Sequence, residues 1–145
     1  MTTPLERITA RIAPFWDADA GVYRPTPLLT LEEFFEGNHV TGSIMANVVL
    51  DGEPQDMPDP QQVCAVLEKL LSRDDVDDVR VAISMFDDPD WPFAEEVMVV
   101  TDVRPEQVRS WFPEAMAPDQ VLPLPDRELE DIGWPTERIR VCWWD

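Results

Sequence analysis

The sequence predicts an α+β fold of the ferredoxin-like type: a βαββαβ two-layer sandwich with an additional N-terminal helical segment. Three observations carry this prediction. Hydrophobic residues make up 44% of the 145-residue chain, enough to build one ordinary core. Four segments alternate apolar and polar side chains with the period of a strand. Beyond residue 42 these segments and two of helical spacing follow in the order strand, helix, strand, strand, helix, strand.

The first helix is expected over Pro4 to Trp16. Pro4 suits a first-turn position, and Leu5, Ile8, Ile12 and Phe15 or Trp16 follow helical spacing. Pro14 should break the last turn early. Residues 17–27 read as loop. Thr30 then caps a short helix from Leu31 to Glu36, with Glu32 and Glu33 favouring its N-terminus and Gly37 and Asn38 ending it. Residues 1–42 are expected to form a helical extension packed on an α/β sandwich core of residues 43–145, within a single domain.

The core should open with a strand from Ser43 to Leu50 that turns Ile44, Ala46, Val48 and Leu50 to one side. Residues 51–58 read as a polar turn. Asp59 and Pro60 supply an N-cap and first helical residue, and Val63, Leu67, Leu70 and Leu71 form the buried stripe of a helix ending near Arg73. A second strand is expected from Asp78 to Phe86, with Val79, Val81, Ile83 and Met85 on one face. A third, from Glu95 to Thr101, should pair with it as a hairpin, because the connection is too short for a crossover helix.

Asp102 is expected to cap a short helix through Pro105 to Phe112, with Val108, Trp111 and Phe112 inward. Residues 113–135 read as loop with one turn around 126–131. A last strand, Glu137 to Trp144, carries Ile139, Val141 and Trp143 on one face and Trp144 on the other. Right-handed crossovers would put both core helices on one side of a sheet ordered 4-1-3-2, leaving the N-terminal segment to cover part of the open face.

Thirty Asp and Glu face eleven Lys and Arg, a net charge of −19. Residues 51–100 hold fourteen acidic residues against three basic ones, which is −11 of that total. Asp74-Asp75-Val76-Asp77-Asp78 and Asp87-Asp88-Pro89-Asp90 supply much of it, and they flank one predicted strand. Such charge repels nucleic acid and anionic membranes, so neither is expected as a partner. No apolar run has the length of a membrane helix and the start lacks a signal-peptide pattern, so a cytoplasmic protein is expected. Cys64 and Cys142, far apart and in apolar surroundings, are expected as buried thiols.

Motifs for chemistry are sparse. The five glycines make no nucleotide-binding pattern, and one histidine with two distant cysteines offers no metal site, so no cofactor or metal is expected. His39, near Glu33 and Glu36, is the candidate for a small enzyme or small-molecule pocket, but no nucleophile is arranged beside it. The expected reading is a non-enzymatic acidic protein that binds a basic protein surface, as an immunity or inhibitor protein would. Its candidate binding residues are Trp91 with Asp87, Asp88, Asp90 and Phe93 in one acidic loop, together with Trp144 near the terminus. A structural homodimer through the presumed edge strand Glu137–Trp144 is the alternative.

Overall fold

The computed structural model describes residues 2–50, 57–123, 125 and 127–144. Helix α1 (Pro4–Ile12) starts where Thr3 accepts a hydrogen bond from Glu6 N–H, and Pro14 converts the following turn, residues 13–15, to 3₁₀ geometry. Two short strands, β1 (Trp16–Asp17) and β2 (Val22–Tyr23), pair as a hairpin and form a small sheet of their own. Strand β3 (Leu28–Leu29) leads directly into α2 (Leu31–Phe35), where Thr30 and Glu33 close a reciprocal capping box. Gly37 ends this turn at φ +74°, and an added Cβ would lie 2.6 Å from Pro4 Cγ, so both conformation and space require glycine.

Helix α3 (Pro60–Leu71) begins at Asp59, whose side chain accepts from Gln61 N–H while Gln62 reaches back to Asp59 N–H. Strands β4 (Asp78–Ala82) and β5 (Glu96–Val100) form the expected hairpin. After α4 (Pro105–Arg109) come β6 (Gln120–Leu122) and β7 (Ile139–Trp143). The main sheet runs β3-β4-β5-β7-β6, antiparallel throughout. The fold is therefore mixed α+β with two antiparallel sheets.

That order departs from the ferredoxin-like 4-1-3-2. Residues 43–50 form no strand; Ile44 makes a single bridge to Ala94. Met45 sits at φ +53°, and the buried positions are 43, 44, 45 and 48, the spacing of a packed turn and not the alternation of a strand. Ala46, expected inward, is exposed. Without that central strand, β5 pairs directly with β7, and Leu28–Leu29 takes the edge beside β4. Residues 51–56 of the expected polar turn lie outside the described residues.

Residues 1–42 enter both sheet and core: β3 belongs to the main sheet, and Ile8, Ile12, Phe34 and Phe35 share one buried cluster with Leu67, Val81 and Val97. The opposite sheet face buries Leu28, Met98, Val100, Ile139 and Val141 under Leu129 and Ile132. That face is thus covered by the proline-rich segment, not by the N-terminal one. Arg11 ties the layers together, donating to Glu33 at 2.9 Å, to Glu130 at 2.7 Å and to the Leu28 carbonyl, while Glu130 also accepts from Leu28 N–H. Asp102 does not cap α4; it pairs with Arg138 instead. Both thiols are buried and unlinked, and burial followed by the Glu68 carboxylate pushes Cys64 up to about 12.

Candidate functional site

The acidic loop after β4 is closed at its base. Ser84 and Met85 N–H groups donate to the Phe93 carbonyl, and Phe93 N–H returns a bond to Met85. At its tip Asp88 accepts from Asp90 N–H across Pro89, a local turn that leaves Asp87, Asp88 and Asp90 exposed. Among the described residues none of the three makes an ion pair. Phe93 is half-buried.

Trp91 does not project from this loop. It is 4% exposed and meets Phe34 edge-to-face at 6.5 Å. Burying a side chain of this size contributes more than about 2 kcal/mol, which outweighs the cost of hiding a polar tip. That cost is present: Trp91 Nε1 is buried with no hydrogen-bond partner. Trp144 is likewise inside, 3% exposed, against Phe112, and its Nε1 donates to the Met116 carbonyl at 3.0 Å. Neither tryptophan is an exposed anchor. Trp144 belongs to the core because β7 is an inner strand between β5 and β6, which also removes Glu137–Trp144 as an edge for pairing a second copy.

Among the described residues the most exposed aromatic is Trp16, at 51%, followed by Trp134 at 37%. Helical spacing had placed it with the inward stripe of α1, but Pro14 ends that helix first and the chain enters the β1–β2 hairpin. Asp17 shapes the hairpin turn by accepting from Asp19 and Ala20 N–H groups, and Gly21 completes it at φ +69°. Trp16 then stands opposite Tyr23, with ring centroids 5.1 Å apart. Val22 is 44% exposed and Met85 40%. Trp16, Val22 and Met85 line one open cavity of about 550 Å³, with Asp87 on its wall. Burial and then the Asp87 charge raise the Tyr23 pKa, so the acidic loop acts electrostatically on this hairpin.

The sequence carried a signal for this face that the loop reading of residues 17–27 passed over. An Asp-containing, Gly-terminated turn between Trp16 and Val22-Tyr23 has hairpin chemistry. His39 takes no part: its side chain is 71% exposed, 3.7 Å from Asp59, and it lines none of the cavities described here. Trp111 and Trp143, expected in the core, are half-buried; the Arg73 guanidinium lies 3.9 Å from the Trp111 ring centroid. No group of His, Cys, Asp and Glu among the described residues could hold a metal ion. No helix among them is long and apolar enough to cross a membrane.

The sequence profile described as "Uncharacterized protein YfbO family" matches residues 3–141. A relative from Escherichia coli (strain K12), "Uncharacterized protein YfbO", is 42% identical over 147 residues, covering 99% of each chain. No solved structure matches. The chain belongs to the YfbO family.

Proposed function

We propose that this member of the YfbO family is a non-enzymatic acidic protein that binds a basic protein surface, in the manner of an inhibitor or immunity protein. One observation carries the reading: the apolar face of Trp16, Val22 and Met85 adjoins a loop whose three carboxylates have no cation of their own among the described residues. Exposed apolar side chains gathered at one place mark interaction surfaces more than scattered ones do. The carboxylates add direction, since opposite charge speeds encounter and fixes orientation while the apolar anchors supply the buried area. The complementary partner therefore presents lysine or arginine around an apolar residue. The same excess of negative charge supports a protein with no dealings with nucleic acid or anionic membranes, and the buried, unlinked thiols suit a cytoplasmic site of action.

The test is affinity capture from the source cell's lysate at low and high salt, with wild type and Trp16→Ser. A basic protein should be retained by the wild type, released by salt and lost with Trp16→Ser. Capture that ignores both salt and Trp16→Ser would overturn the proposal.

A further inference from the structure

Beside the apolar face, and sharing Met85 and Asp87 with it, lies a second cavity of about 320 Å³. Residues 40–43 form one side, and Trp91, Phe93, Asp87 and Asp88 the other. Three other carboxylate-lined cavities each contain their own guanidinium. Arg138 lies among Asp74, Asp75, Asp77 and Asp102; Arg7 and Arg11 lie among Glu32, Glu33 and Glu36; Arg24 and Arg127 lie among Glu95, Glu96 and Glu128. Among the described residues, the cavity at Trp91 is lined by two carboxylates and no basic side chain. It also has as a wall the indole whose Nε1–H is buried without an acceptor, a group that folding ordinarily satisfies.

We infer that this cavity seats one lysine or arginine side chain of the basic partner, with its methylenes against Trp91, Phe93 and Met85 and its cation facing Asp87 and Asp88. The inference rests on the reading of a basic protein partner and names the contact that reads its charge. Lysine and arginine suit the lining because their long stems cover apolar surface while the head remains polar. An acidic side chain would meet two like charges, and a purely apolar one would leave both carboxylates without a counter-ion.

The experiment is an NMR titration of the intact chain with N-acetyl-lysine N-methylamide, following the Trp91 indole N–H resonance, assigned by its absence in Trp91→Phe. Saturable shifts of that resonance and of the amides of residues 40–43 and 85–93 are expected. The norleucine analogue, which lacks the cation, should bind about three- to tenfold more weakly, and Asp87→Asn with Asp88→Asn should weaken the lysine probe by a similar factor. Equal binding of lysine and norleucine probes would overturn the inference, as would lysine shifts centred on residues 74–78 with Trp91 unmoved. If lysate capture succeeds as described while the lysine probe leaves Trp91 unmoved, the seat falls and the binding face stands. If the probe binds here but no basic protein is retained, the cavity's chemistry stands and the protein partner falls.

Discussion

At the start of β4, Asp75 pairs with Arg73, Asp77 with Arg138 and Asp78 with Arg80. Past the far end of the same strand, Asp87, Asp88 and Asp90 have no ion pair among the described residues. The two runs look alike in sequence, yet the first is tied into the fold and the second is left facing outward. Arg138 adds Asp102 and lies over Trp134, so the first run joins β4 to the segment before β7. A carboxylate beside a guanidinium projects little field, because the pair is close to neutral at a distance. The unpaired run projects its full charge, and it does so beside the exposed Trp16, Val22 and Met85. Net charge counted along a chain thus overstates the acidic surface; what matters is which acids lack a partner.

The comparison can be broken first at the paired run. Asp78 and Arg80 are each about four-fifths buried, and Arg80 also donates to the Leu28 carbonyl. Asp78→Ala should cost about 1–3 kcal/mol, measured by urea unfolding, because it leaves a partly buried guanidinium short of its acceptor. A cost below about 0.3 kcal/mol would show that the pair is ornamental, as many exposed pairs are.

Acid should destabilise the fold through a paired carboxylate whose pKa is lowered on folding. Burial alone would raise the Glu33 pKa, but the Thr30 N–H and the Arg11 guanidinium outweigh it and hold the carboxyl below its ordinary 4.5. With the folded value depressed, the stability contributed by Glu33 is complete above its unfolded pKa and is lost as pH falls through the lower folded one. Urea midpoints should therefore decline in that window for the wild type, and less so for Glu33→Gln, which starts lower. Identical pH profiles would remove Glu33 from the account.

Neutralising the unpaired run should do little to stability. The triple change Asp87→Asn, Asp88→Asn and Asp90→Asn is expected to lie within about 0.5 kcal/mol of wild type, or slightly above it as self-repulsion is relieved. A loss of more than about 1 kcal/mol would mean that the loop acids are structural. The smallest effect is also the most local. The chain has one tyrosine, so an ultraviolet titration reports Tyr23 alone. In Asp87→Asn its pKa should fall yet stay above the ordinary value of 10, because burial is the larger cause and remains. An unchanged titration would separate the loop from the hairpin.

Much of this fold was legible where local chemistry and tertiary packing agree. Asp59-Pro60 and Thr30 cap their helices as their residue types require, and the β4–β5 hairpin follows from alternation and a short connection. Residues 43–50 failed because apolar alternation is not unique to a strand: a packed turn with Met45 in the left-handed region buries Ile44 and Val48 of the expected face, adds Ser43 and Met45, and leaves Ala46 exposed. The three-residue β6 was invisible in a proline-rich stretch, since its pairing with β7 is decided by a distant partner. For the site, the loop Asp87–Phe93 was legible as a place but not in its detail. Its tryptophan turned inward onto Phe34, and the exposed aromatic beside the loop is Trp16, brought there by a hairpin turn distant in sequence.

The central claim is that position, not total charge, makes the loop acids a binding surface. Isothermal titration with a basic peptide of alternating lysine and leucine tests it most directly, using two triple variants that each remove three negative charges. Asp87→Asn, Asp88→Asn and Asp90→Asn should weaken binding about tenfold or more, while Asp74→Asn, Asp75→Asn and Asp77→Asn should weaken it less than about threefold. Equal weakening by the two variants, or a larger loss from the second, would contradict the account.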